Sequence, residues 1–201
     1  MPRIRCKTCR RLNEKLCGRA KCALIRKSYP PGVHGSKRRR PLTEYGEHLR
    51  QKQRLRVVYG LGERPFRSYV NRALVQRGDT RERLLWALER RFDNVVMRLG
   101  FAPTLAAARQ LTTHGHFLIN GKRINAPSYA LKTGDTIRIR PSSIKRTPFQ
   151  DINERNKKYA PPAWLRLDKE NLEGTVLRQA TPEDIETLPI NIQAVLEYYS
   201  R

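Results

Sequence analysis

Residues 91–123 read RFDNVVMRLGFAPTLAAARQLTTHGHFLINGKR, and within this stretch the hydrophobic period changes from helical to extended. Val95, Val96 and Leu99 share one helical face, Gly100 breaks it, and Thr104 is placed to cap a second helix carrying Ala107, Ala108 and Leu111. After Gly115 the period becomes two. Phe117, Ile119, the Asn120-Gly121 pair and Ile124 predict a tight hairpin, because Asn-Gly readily adopts the positive φ values of a type I′ turn. Beyond the Gly134-Asp135 turn, Ile137 and Ile139 alternate with Arg138 and Arg140 and predict a further strand. Residues 91–155 thus read as a helix pair followed by a small curled β-sheet.

On the N-terminal side, residues 42–90 predict a helical domain. Leu42, Tyr45, Leu49, Leu55 and Val58 suit a helix interleaved with Arg50, Lys52, Arg54 and Arg56, ended by Gly60 and Gly62. Pro65 fits the first turn of the next helix, whose buried stripe is expected to use Phe66, Tyr69, Val70, Ala73 and Leu74 and to leave Arg67, Arg72 and Arg77 outside. Asp79 or Thr80 caps a third helix with Leu84, Leu85, Leu88 and Phe92. On the C-terminal side, Trp164-Leu165-Arg166-Leu167 and Gly174-Thr175-Val176-Leu177 recover hydrophobic order after a polar stretch. Thr181-Pro182-Glu183-Asp184 reads as a helix start, and a final helix uses Ile192, Val195, Leu196 and Tyr199. Residues 156–201 are expected to return and complete the helical domain. The fold class is therefore α+β, with a mainly helical domain, an inserted helix-pair-and-sheet module, and an N-terminal zinc-type arm at 1–41.

The chain has 201 residues and carries 42 Lys and Arg against 18 Asp and Glu, a net charge of +24. The surplus is uneven, at +13 over residues 1–40, +6 over 41–100, +8 over 101–160 and −3 over 161–201. A polyanion is the expected partner of the first three parts and a protein neighbour that of the last, through Asp168, Glu170, Glu173, Glu183, Asp184 and Glu186. Apolar runs such as residues 84–88 fall far short of the ~20 residues that span a bilayer, and the first thirty residues have no signal-peptide core. A cytosolic protein that meets no membrane is expected.

In a reducing compartment, four closely spaced cysteines point to a metal before a disulfide. Cys6-x2-Cys9-x7-Cys17-x4-Cys22 offers four thiolates, enough to close a structural zinc shell with no open position, while Arg5, Lys7, Arg10 and Arg11 favour thiolate formation. The alternative is four reduced thiols. Arg38, Arg39, Arg40, Lys52, Arg54, Arg56 and Arg67 are candidate phosphate contacts, set against a solvated charged face. Catalytic constellations are missing, with no Walker loop, nucleophile elbow or HExxH pair. Asp93, placed before an apolar helical face, reads as a cap or an arginine's ion-pair partner.

Several segments together resemble the family of bacterial-type small-subunit ribosomal protein four. They are RKSYPPGVHG at 26–35, DNVVMRLGF at 93–101, ARQL at 108–111, HGHFLINGKR at 114–123, PSY at 127–129 and LEYYSR at 196–201. The resemblance implies a non-enzymatic constituent of the small ribosomal subunit that binds ribosomal RNA early in assembly, where several RNA helices meet. It also implies contact with small-subunit protein five and an influence on decoding accuracy, with protein three and messenger RNA nearby at the messenger's entrance. Within the module named after this family, Arg91, Arg98, Arg109, His114, His116, Lys122 and Arg123 lie on what resembles the RNA-facing side. For the two histidines, capping or hairpin packing stands as the alternative. Pseudouridine synthases and tyrosyl-tRNA synthetases carry the module too, so an RNA-modifying enzyme is the competing function, and it needs a further catalytic domain. A zinc-finger DNA binder would place a recognition helix where Pro30-Pro31-Gly32 stands.

Overall fold

A computed structural model describes residues 4–37, 41–157, 159–185 and 190–200. The chain divides into two compact units, residues 1–76 with 189–201, and residues 77–188.

The first unit begins with α1 (Cys6–Leu12) and α2 (Ala23–Arg26) in the cysteine arm, followed by α3 (Glu44–Val58) and α4 (Glu63–Val75). Thr43 Oγ1 caps α3 by accepting from the Gly46 amide at 3.2 Å. Leu55, Tyr59, Phe66, Val70 and Ala73 are buried. Leu74, expected in the same stripe, is exposed. At helical spacing it lies about 80° round α4 from Phe66, whereas Ala73 returns to within about 20°. A terminal helix, Ile192–Ser200, packs along α3 with Ile192, Val195 and Leu196 buried as their spacing predicts.

Polar contacts lock that terminal helix in place. Glu63 receives Lys52 Nζ at 2.9 Å, Arg56 Nη1 at 3.0 Å and the Tyr199 hydroxyl at 2.7 Å. Burial alone would raise the Glu63 carboxyl, but Lys52, Tyr199 and Arg56 outweigh it and hold it below the usual carboxylate range. The Lys52 ammonium also lies 4.5 Å from the centre of the Tyr198 ring.

The second unit contains α5 (Thr80–Glu89), α6 (Phe92–Arg98), α7 (Leu105–Thr113), β1 (Phe117–Ile119), β2 (Lys122–Arg123), β3 (Thr136–Ile139), α8 (Pro141–Ile144), α9 (Thr147–Gln150), α10 (Ile152–Lys157), β4 (Leu165–Asp168) and β5 (Glu173–Val176). The strands form one antiparallel sheet in the order β2-β1-β3-β5-β4. Asn120 (φ 48°) and Gly121 (φ 78°) make the β1–β2 turn as expected, and Thr104 and Asp79 cap α7 and α5. Phe117 is central to the core, with the rings of Phe92, Phe101 and Phe149 all about 6 Å from its own.

Two sequence expectations about the divisions are corrected here. Residues 165–176 do not join the helical domain, because β5 pairs with β3 through Ile137↔Gly174 and extends the module's own sheet. Gly174 is required there, since a Cβ would stand 2.3 Å from Leu99 Cδ1. The third helix, α5, likewise belongs to the second unit, where Trp86 meets Trp164 edge-on at 5.9 Å. The expected helix start at Thr181 is a short 3-10 turn over Glu183–Ile185. Among the described residues no helix is long and apolar enough to cross a membrane.

Candidate nucleic-acid interface

At the end of α7 the chain turns through Gly115 (φ 69°) into β1. A Cβ at this glycine would lie 2.3 Å from Arg123 Nε, so its absence lets the guanidinium lie against the backbone, where Arg123 Nη2 donates to the His114 carbonyl at 3.3 Å. The hairpin that carries Lys122 and Arg123 is braced from below. Asn120 Nδ2 donates to Asp135 Oδ1 at 2.9 Å, and Asn120 Oδ1 accepts from the Thr136 amide at 3.0 Å.

His114 and His116 flank Gly115 in this turn, with their two rings stacked at 6.1 Å. His116 is buried, its Nδ1 lies 3.0 Å from Ser143 Oγ, and Phe149 meets it edge-on. Burial first, then the charges of Arg146, His114, Arg123 and Arg140, lower its pKa and disfavour the imidazolium form. His116 is thus a packing residue, the alternative left open by the sequence. Around it His114, Arg123, Arg140 and Arg146 are all exposed. Arg140 and Arg146 were absent from the sequence-derived candidates. For Arg140 a signal existed, because β3 alternation puts Arg138 and Arg140 on the face opposite Ile137 and Ile139.

Other arginines of the module face inward. Arg91 is 2 % exposed, so it is not a surface contact as expected; it makes a forked pair with Asp93, at 3.1 Å from Nε and 2.8 Å from Nη2. Arg109 Nε stands 3.5 Å from the same carboxylate. Arg98 pairs with the buried Glu89 at 2.8 Å, and Asn94 Nδ2 donates to Glu89 Oε2 at 2.6 Å. Arg98 and Arg109 keep about a quarter of their side chains exposed, at 23 % and 27 %, and so retain a surface-facing part. Asp93 is an ion-pair partner, one of the two roles its position suggested.

In the first unit, Lys52 and Arg54, expected to follow a phosphate backbone, are buried. Lys52 is held by Glu63, and Arg54 donates to the Leu12 carbonyl from Nε at 3.3 Å and Nη2 at 3.2 Å, with Glu14 at 3.6 Å. Arg56 is half-buried between Glu63 and Gln53. Arg67 is exposed, and Arg38, Arg39 and Arg40 lie outside the described residues, as does Glu186. Of the acidic tail, Asp168, Glu170 and Glu183 are exposed. Asp184 is engaged by Arg178 at 2.7 and 2.8 Å; that guanidinium, opposed by burial, brings its carboxyl down to about 2.

The four cysteines converge. The sulfurs of Cys6, Cys17 and Cys22 lie within 4.8 Å of one another, and Cys9 is buried in one cluster with Cys17 and Cys22. Burial would raise the Cys17 thiol, but the Arg19 amide and the other three cysteines outweigh it and bring it down to about 7. At Cys22 the Leu24 amide acts downward, while burial, Cys17 and Cys6 prevail and push it up to about 11. Soft sulfur donors grouped this closely, with Arg19 Nη1 4.0 Å from Cys6 Sγ, suit a divalent metal that takes thiolates.

Residues 2–89 match the family model described as the ribosomal protein S4/S9 N-terminal domain, and residues 90–137 match that of the S4 domain. The chain is 46 % identical over 202 residues to the small ribosomal subunit protein uS4 of Syntrophomonas wolfei subsp. wolfei and to that of Thermotoga petrophila, covering 98 % of this chain and 96 % of each relative. The protein of the same name from Thermotoga maritima is 45 % identical over the same shares.

Proposed function

The chain belongs to the small ribosomal subunit protein uS4 family, and from that premise we propose that it is a structural constituent of the small ribosomal subunit that binds small-subunit ribosomal RNA directly and helps nucleate the subunit body. It is a ribosomal protein and not an enzyme. The RNA-modifying alternative is set aside, because relatives alike over 98 % of the chain are named as ribosomal proteins. The observation that carries the RNA reading is the exposed group of His114, Arg123, Arg140 and Arg146 around a buried His116.

Such a rim recognises shape and phosphate. The deep A-form major groove excludes side chains, so contacts fall on phosphates and 2′-hydroxyls, for which the planar guanidinium is well suited. Binding to naked subunit RNA is expected to weaken by about 0.7 to 0.9 in log K per phosphate neutralised for each tenfold rise in salt. Replacing Arg140 and Arg146 together by alanine should lower that log-log slope by about 2 and weaken binding roughly tenfold to a hundredfold near 0.1 M salt. Filter binding across a salt series checks this; an affinity indifferent to salt overturns the electrostatic reading.

The same proposal gives Cys6, Cys9, Cys17 and Cys22 a structural zinc that holds the arm's fold, and assigns the exposed acids of the C-terminal part to small-subunit protein five. Protein three and messenger RNA at the messenger's entrance are the further neighbours in this reading. Charge reversal at Asp168 and Glu170 is expected to change misreading in a translation assay more than RNA affinity, and an equal loss of both would refute that division of roles.

A further inference from the structure

We propose that the outward face of α4 is a second RNA contact, on which Arg64, Arg67 and Arg72, with Ser68 and Asn71 between them, hold one run of phosphate backbone. The inference rests on the ribosomal-RNA reading above. It adds a surface in the first unit, where Lys52, Arg54 and Arg56 of α3 are turned to internal partners. At helical spacing the five positions fall within about 140° of arc, opposite Phe66, Val70 and Ala73. All five are exposed, whereas Phe66, Val70 and Ala73 are buried. Phe66 seats the helix against the ring of Tyr199, at 6.1 Å.

The face carries charge of one sign. Glu63 is the single acid of α4, and its carboxylate is engaged by Lys52, Arg56 and Tyr199. Among the described residues, Arg64, Arg67 and Arg72 have no acidic partner. A face that merely keeps a helix in water gains from opposite charges three or four residues apart, and like charges at that spacing repel. Arg64 and Arg67 stand three apart with the same sign, a repulsion that a polyanion would relieve. Ser68 lies one turn from both Arg64 and Arg72, and Asn71 one turn from Arg67, so each neutral donor is set beside a guanidinium.

That combination fits a phosphate backbone. Guanidiniums, hydroxyls and side-chain amides are the groups that contact phosphate and sugar oxygens. From Arg64 to Arg72 the helix rises about 12 Å, so the three cations form a row along its axis and not a single cluster. A basic amphipathic helix can also lie on an anionic membrane, but it does so through its apolar face. The apolar face of α4 is taken up inside the unit, and only the cationic face is offered to a partner.

The test uses the full chain and naked small-subunit ribosomal RNA. Arg64→Ala, Arg67→Ala and Arg72→Ala combined should leave the thermal melt unchanged or raise it, because alanine is the best helix former and the repulsion is gone. RNA affinity should nevertheless fall about a hundredfold near 0.1 M salt, with the log-log salt slope lower by about 2 to 3. Lysine at the same three positions should restore the slope, which counts charges. Asn71→p-benzoylphenylalanine should form an RNA adduct under ultraviolet light. If the wild type binds the RNA and the triple alanine variant keeps the same slope and affinity, this inference is overturned alone. A protein adduct at position 71 in the reconstituted subunit, in place of an RNA adduct, overturns it too and gives the face to an acidic neighbour. If the wild type does not bind the RNA, the ribosomal-RNA reading falls as well.

Discussion

Replacing Asp93 by alanine is expected to destabilise the second unit by about 3 to 5 kcal/mol, a large part of the stability of a small domain. Asp93 is fully buried and Arg91 nearly so, and the two are joined by a forked pair. Removing the carboxylate leaves a guanidinium that can neither reach water nor lose its proton. Arg109, partly exposed, can turn to solvent and loses less. The cost should come from a buried guanidinium deprived of its carboxylate more than from the lost pair itself. The double replacement Arg91→Met with Asp93→Leu should therefore recover most of the stability. Urea unfolding of both variants checks this, and a loss below about 1 kcal/mol in the single variant would contradict it.

Substituting Cys9 and Cys17 together by serine is expected to unfold the arm while leaving the melting of the second unit unchanged. The arm's buried cluster consists of Cys9, Cys17 and Cys22, with Ile4, Leu16 and Leu24 packed at its edge. So little apolar surface cannot offset the entropy of ordering some thirty residues, and on the proposed zinc reading structural zinc binding, on the order of 10 to 16 kcal/mol in small zinc-binding peptides, would supply what the core lacks. Loss of the arm reaches α3 as well, because the buried Arg54 donates to the Leu12 carbonyl. One zinc per chain by atomic spectroscopy, rapid proteolysis within residues 4–37 after chelation, and weaker RNA binding are the expected results. An arm that stays protease-resistant with no metal in the purified chain would contradict the zinc reading.

The local grammar of the chain was readable and its long-range partnerships were not. Thr43, Asp79 and Thr104 cap helices, and Asn120-Gly121 turns the hairpin, because these effects act over two to four residues. The alternation at 174–177 likewise announced an extended segment. Nothing local says that Gly174 will face Ile137, since that choice depends on the space Leu99 occupies. The same limit applies to charge. A net surplus of 24 positive charges declares the partner's sign, but the buried acids, Glu89 and Asp93 among them, must also find partners. Which lysines and arginines they engage depends on tertiary distances such as Lys52 to Glu63 and Arg91 to Asp93. Arg146 was missed for the converse reason, since it meets His116 only once the residues after β3 fold back beside the α7–β1 turn, whereas the alternation of β3 already marked Arg140 as outward-facing.

The fastening of the terminal helix to α3 sets an order of events during synthesis. Tyr199 must reach Glu63, and Asn191 must reach Gln51, across a sequence separation of about 140 residues. A nascent chain leaving the exit tunnel has every part of the 77–188 unit available before the stretch at 191–199 emerges. The earlier-made helices α3 and α4 must therefore wait, with Phe66 and the Lys52–Glu63 pair deprived of their cover, until the stretch at 191–199 has been made. For that interval the half-built unit is the part of the molecule most open to chaperones, proteases and premature capture by RNA.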